Sequence, residues 1–362
     1  MIEKMVTDNI LIQAKEKALA GERITPDEAL ALYHGCELWE LGGIADGVRR
    51  RLHPENTVTY IIDRNINYTN VCDVYCKFCA FYRTEKDDDH YVLTPEQVCA
   101  KIQELVDIGG VQVLMQGGHH PKLGIDYYLE LLATIKRRFP QVNIHGFSPP
   151  EFNHFADVFQ MPLEEVIRRF KDAGLGSIPG GGGEILVDKV RNRIAPLKCT
   201  GEEWLRVMEV AHGLGLNSSA TMMFGHVEQP EDRIEHLRML RDLQDKTHGF
   251  TAFICWTFQK GPGVVLKADT IGSHEYLRMQ AMSRIFLDNF PNIQSSWVTQ
   301  GPQIGQVALK FGANDFGSVM MEENVVSAAG TTFRVDEAMM QRLIKELGYE
   351  PRRRNNWYQL LN

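Results

Sequence analysis

The chain has 362 residues, 44% of them hydrophobic, with 39 Lys+Arg against 47 Asp+Glu and a formal charge of −8. The acidic balance argues against a nucleic-acid partner, because such binding draws most of its affinity from Lys and Arg on phosphates. No apolar run reaches the ~18 residues of a membrane span, and Met1 to Ala20 holds no continuous apolar stretch of a secretory signal, so a cytoplasmic protein without a membrane partner is expected.

In chain order, residues 1–50 read as a helical lead-in. Within it, Thr25-Pro26-Asp27-Glu28 forms a capping box with proline at the first helical position. Residues 51–334 alternate short β-rich runs with helices. The runs are Val58–Ile62, Ile66–Asn70, Val111–Met115, Val142–Phe147, Gly176–Pro179, Ser218–Phe224, Phe250–Phe258 and Ile293–Trp297. Thr94-Pro95-Glu96-Gln97 and Thr200-Gly201-Glu202-Glu203 open helices between them. Strands alternating with helices give a parallel sheet. Without a Gly-rich dinucleotide fingerprint, these units fit an α/β fold of the (β/α) TIM type, complete with eight strands or partial with six, better than a doubly wound sheet. Residues 335–362 read as a closing helix and tail, with Arg352-Arg353-Arg354 as a solvated run. In such barrels chemistry sits at the C-terminal ends of the strands.

One motif lies where that rule points. Cys72, Cys76 and Cys79, spaced C-x3-C-x2-C, follow the Ile66–Asn70 run. Seven Cys in a cytosolic chain serve metal binding, catalysis or packing more often than disulfides. Three thiolates within eight residues can converge on one metal centre and leave one coordination position open. A structural zinc site would want a fourth ligand and a second C-x2-C half, whereas Cys36, Cys99, Cys199 and Cys255 are isolated and read as buried small hydrophobes. A three-Cys [4Fe–4S] cluster with one uncapped iron fits the spacing better. The competing reading is a barrel hydrolase or binding module with zinc.

The triplet resembles that of the radical S-adenosylmethionine (SAM) superfamily. The strings Tyr60 to Asn70, Phe147-Ser148-Pro149-Pro150-Glu151, Ile178 to Glu184 and Ala220 to Glu228 resemble its menaquinone-forming, futalosine-pathway branch. The resemblance implies a [4Fe–4S] cluster and S-adenosyl-L-methionine as cofactors, dehypoxanthine futalosine as small-molecule substrate, and an external one-electron donor such as flavodoxin or ferredoxin. It implies an oxidoreductase that abstracts hydrogen from ribose C4′ and closes a ring on the benzoate. The siblings, aminofutalosine synthase and the deazaflavin-forming synthases, are the alternatives.

Site residues follow from the same matches. Phe78 would shield the cluster. Phe81 and Tyr82 would meet the adenine, and Gly117-Gly118 the methionine amino group. Ser148 projects at the barrel mouth, Glu184 would hold the ribose hydroxyls, and Gly225 and Glu228 would lie near adenine and ribose. Arg193, His119 and Asn314 are candidate substrate contacts, Arg193 because Arg grips carboxylates bidentately. Asp315 or Glu322 is the candidate acceptor for the ring proton. Anaerobically purified protein is expected to carry about four irons and four sulfides per chain; colourless protein with a single zinc would contradict the assignment. Cys76→Ala should abolish deoxyadenosine formation from S-adenosylmethionine and dithionite.

Overall fold

The computed structural model describes residues 2–361, with side chains from Asn9 onward. The three Thr-initiated capping boxes form as the sequence predicts. Thr25, Thr94 and Thr200 each accept a hydrogen bond from the backbone three residues on, and the Glu or Gln there returns one. The lead-in is three helices, Ile2–Ala20, Pro26–Gly35 and Leu38–Leu52. It is clamped to the helix Ser273–Phe286 by Arg278, which donates to the carbonyls of Tyr33 at 2.7 Å and Cys36 at 2.9 Å. No helix among the described residues is long and apolar enough to cross a membrane.

Ten strands form one parallel sheet: β1 Thr57–Ile61, β2 Asp63–Ile66, β3 Gln112–Met115, β4 Asn143–Gly146, β5 Ser177–Ile178, β6 Asn217–Phe224, β7 Phe250–Thr257, β8 Asn292–Gln294, β9 Asp315–Ser318 and β10 Glu350–Arg353. Their order is β10-β1-β9-β8-β7-β6-β5-β4-β3-β2. β1 and β2 are separated by Ile62 alone, so the far ends of the sheet meet in one stretch of chain. Along it the carbonyls alternate between edges: Ile61 accepts from Val319 at 3.1 Å and Asp63 from Met321 at 3.2 Å, while Ile62 accepts from Val111 at 3.2 Å. The sheet is therefore a TIM-type curl of eight rungs, thinnest at two-residue β5 and where β8 meets β9 through one residue pair. β10 pairs with the start of β1, and the chain after it turns beneath the curl.

The sequence pattern placed the second strand too late and missed β9 and β10. Asp63 and Asn65 face the interior and break the apolar run that marks a strand; Asp-Phe-Gly-Ser and Glu-Pro-Arg-Arg carry no apolar alternation. Two site expectations change with β9. Asp315 is its first residue, so it lies at the floor of the curl and not at the mouth. It is fully buried, accepts from Thr59 Oγ1 at 2.5 Å, and is gripped by Arg354 from both guanidinium edges, with Nη2–Oδ1 at 2.9 Å. Asn314 is buried beside it, accepting from Arg284 at 2.6 Å and from the Ile293 backbone at 2.9 Å. Neither can meet a ligand that enters at the strands' C-terminal ends.

Arg352–Arg354 is not a solvated run either. Arg353 pairs with Glu337, and Arg354 lies inside the floor with its guanidinium 3.9 Å from the Tyr358 ring. Breaking a buried ion pair leaves an uncompensated charge, so Arg354→Met should lower the unfolding free energy by about 3–5 kcal/mol. Adding Asp315→Asn should restore part of that loss, as read from urea denaturation midpoints.

Candidate metal and cofactor site

The cysteine loop leaves the C-terminal end of β2 and is pinned on several sides. Cys72 N donates to Arg83 O at 2.9 Å and Lys77 N to Ile194 O at 2.9 Å, while Val265 N and Leu266 N both donate to Lys77 O. From below, the end of β3 passes so close that a Cβ on Gly118 would lie 2.1 Å from Val71 O, and one on Gly117 2.5 Å from the Tyr68 ring. Only bare backbone fits there.

The three thiols are unpaired by disulfides. Val74, Ile194, Ala195, Met223, Phe258 and Leu266 make an apolar wall around them, and Phe78 packs against it. Burial raises the Cys72 thiol and pushes Cys76 up to about 12, with the Lys198 ammonium pulling Cys76 the other way. Sulfurs so placed become thiolates when a metal centre takes their charge. Among the described residues, the three sulfurs do not all lie within 4.8 Å of one another. A single tetrahedral zinc with Zn–S bonds of ~2.3 Å would hold them about 3.8 Å apart. Three sulfurs spread wider than one zinc would hold them, behind an apolar wall, suit a cluster.

Beneath the loop lies a cavity of about 290 Å³ inside the curl. Its lower wall is a hydrogen-bonded polar belt rather than layers of aliphatic side chains. Ser318 Oγ and Gln112 Nε2 donate to Asp63; Asn143 Nδ2 reaches Gln112 at 3.2 Å and Ser177 at 3.0 Å; His145 bridges Ser177 at 2.7 Å and Ser219 at 3.3 Å. Burial holds the His145 imidazole neutral, its pKa near 3, and raises the Asp63 carboxyl. Sequence analysis missed this belt, although polar residues at every second strand position (Asp63 and Asn65, Asn143 and His145, Ser219 and Thr221) were a readable signal. At the upper wall Glu184 accepts from Lys198 Nζ at 3.2 Å. The same ammonium stands 5.2 Å from the centre of the Phe78 ring, so it joins the cavity to the cysteine loop.

Residues 66–240 match the sequence profile of the radical SAM superfamily, and residues 247–362 match that of the CofH/MqnC C-terminal region. The chain is 47% identical over 357 residues to a protein named cyclic dehypoxanthine futalosine synthase from Halalkalibacterium halodurans, covering 99% of this chain and 95% of that protein. The chain belongs to the radical SAM superfamily. The protein of the same name from Streptomyces coelicolor is 48% identical over 349 residues, covering 96% of this chain and 88% of that protein. Methylornithine synthase shares the fold, with a TM-score of 0.71 at 17% identity over 93% of this chain and 97% of that one. As a radical SAM enzyme the chain uses a [4Fe–4S] cluster and S-adenosylmethionine.

Read as a radical SAM site, the structure keeps some expected residues together and disperses others. Cys72, Cys76, Cys79 and Phe78 form one group. The carbonyls of Phe81 and Tyr82 receive the Arg83 guanidinium at 3.3 and 2.9 Å, which fixes that stretch beside the loop. The N–H groups of Gly117 and Gly118 are taken by Glu151 and Thr69, so an amino group would meet their carbonyl oxygens. Ser148 donates to Glu151 at 2.7 Å as the cap of helix Pro149–Val158, so its hydroxyl serves the turn. Glu228 accepts from Gly225 N at 2.6 Å, His226 N at 2.9 Å and Arg233 Nε at 2.8 Å, and stays well below the usual carboxylate range despite its burial. It shapes the turn at Gly225.

Arg193 is exposed and donates to Val227 O at 3.1 Å on the outer surface; the buried arginine is Arg191, spent on the carbonyls of Gly182, Gly183 and Cys199. Glu322 lies outside the strand wall, bonded to Arg64 at 2.7 Å and Lys101 at 2.9 Å, which depress its pKa despite partial burial and make it a poor proton acceptor. Its neighbour Glu323 lines the interior cavity instead. His119 faces a different cavity, between the cysteine loop and helix Pro149–Val158. A methyl group at Gly118 would push the cysteine loop outward, so Gly118→Ala should lose more than half of its iron after anaerobic reconstitution, with helical circular dichroism unchanged.

Proposed function

We propose that this radical SAM enzyme converts dehypoxanthine futalosine to cyclic dehypoxanthine futalosine in menaquinone biosynthesis, taking hydrogen from ribose C4′ and closing a ring on the benzoate with loss of one proton and one electron. The observation that carries this reading is the wide thiolate tripod together with an interior cavity whose lower wall is a polar belt. The near-half identity to proteins of that name, along almost the whole chain, supports it. When bound, the cluster and S-adenosylmethionine supply a 5′-deoxyadenosyl radical by one-electron reduction.

Cys72, Cys76 and Cys79 would hold the cluster, with the apolar wall keeping water from it. The carbonyls of Gly117 and Gly118 would orient the methionine amino group, and Glu184 the ribose. The belt from Ser318 to Ser219 would hold the polar parts of the substrate, so that sugar and benzoate meet in one orientation. Asp315 sits on the floor and Glu322 outside the wall. Asp63 faces the cavity with a pKa that burial has raised, and we assign it the ring proton. An external one-electron donor of the flavodoxin or ferredoxin kind would reduce the cluster, the electron that the closing ring gives up would return to the oxidised cluster, and the cytoplasm is the location that fits oxygen-labile chemistry.

Supplied in parallel with dehypoxanthine futalosine and with the enolpyruvyl substrate of aminofutalosine synthase, the holoenzyme should cyclise the first and leave the second unchanged; turnover of the second alone would overturn the assignment. Asp63→Asn should slow cyclisation by about 10²-fold or more, in the range of general-base removal, while deoxyadenosine formation persists. An unchanged cyclisation rate would take the proton-acceptor role away from Asp63.

A further inference from the structure

We propose that Asp73, His119 and His154 form a second metal site, for one divalent first-row cation, beside the three cysteine sulfurs and using none of them. The ligating atoms of these three side chains lie within 4.8 Å of one another, at the edge of a cavity of about 640 Å³. They come from three separately fixed elements. Asp73 is on the cysteine loop, His119 follows β3, and His154 is on helix Pro149–Val158. Asp73 N donates to His119 O at 3.3 Å, which holds two of them in register.

The imidazole of His119 is the independent pointer. It is 9% exposed, faces the cavity, and has no hydrogen-bond partner among the described residues. Its ring nitrogens therefore reach a partner only through the cavity, which leaves a lone pair free for a ligand there. Its ring centroid lies 4.9 Å from that of His154. His154 Nε2 is 3.0 Å from His120 O. A carbonyl only accepts, so Nε2 carries the proton and Nδ1 keeps its lone pair. A backbone carbonyl fixing one ring nitrogen so that the other can bind metal is the usual second partner of a ligating histidine.

Two imidazoles and a carboxylate on one side of an ion suit Mn, Fe, Co or Zn, and leave coordination positions free. Here those positions face the cavity, where an oxygen ligand can enter. An ion held by Asp73 and His154 also ties the cysteine loop to helix Pro149–Val158.

The test uses the holoenzyme, anaerobic, with four irons per chain verified so that Cys72, Cys76 and Cys79 are occupied. Equilibrium dialysis against Co²⁺ alone, followed by metal analysis, should show one cobalt per chain, with affinity reduced at least tenfold in His154→Ala and in Asp73→Asn. Both positions are accessible enough to substitute, and iron content and circular dichroism serve as controls for folding and cluster loading. Failure of the parent to bind one cobalt overturns the proposal, and so does equal binding by parent and both variants. Because the readout is cobalt and not turnover, either result stands whatever substrate the enzyme proves to use.

Discussion

The close passage of the end of β3 beneath the cysteine loop is the contact on which the rest of the site depends. A loop carrying three thiols has no regular hydrogen bonding of its own and would open to solvent if nothing lay against it. Here Gly118 meets Val71 backbone where no side chain fits, and Asp73 N donates to His119 O at 3.3 Å on the same turn. One strand end thereby fixes the loop's height above the barrel. Glu151 reinforces this from a third element, holding Gly117 N, the Tyr68 hydroxyl and the Ser148 cap with a single buried carboxylate.

The interior of the curl follows a different logic from an aliphatic barrel core. A polar belt in a low-dielectric space is favourable only where every member is paired, and this one is nearly closed from Ser318 to Ser219. The tail after β10 completes it. Arg354 neutralises Asp315, and Asn356 donates to Ser177 at 3.0 Å. Arg354, Asn356 and Tyr358 thus form the floor of the interior cavity. That arrangement offers polar partners at the bottom of the cavity, while the three sulfurs sit behind an apolar wall.

Charge connects the two levels. Lys198 is mostly buried beside Glu184, with the Phe78 ring on one side, and its charge favours the Cys76 thiolate. A positive charge there stabilises anionic sulfur and any carboxylate that approaches it, while Glu184 keeps the ammonium from being an unpaired buried charge. Arg191 supports the same corner by filling the carbonyls of the glycine run. Gly180 to Gly183 is therefore a wall of bare backbone packed on β6 and Gln116, as the short distances to Ala220, Thr221 and Gln116 require.

What the sequence determined by itself is whatever is encoded within a few residues. The C-x3-C-x2-C spacing places three sulfurs on one short loop, the Thr-Pro boxes start helices, and the alternation of β runs with helices makes the sheet parallel. Each depends on local geometry, so each was readable. The tertiary structure decided which way polar residues face and what lies opposite them. Asp315 and Arg354 meet only because β9 and β10 flank β1, and Glu322 points outward because strand register turns it toward Arg64 and Lys101. His119 and His154 come together because a helix after β4 packs beside the turn after β3. Long-range register, which no local pattern carries, assigns these side chains their partners and so their chemistry.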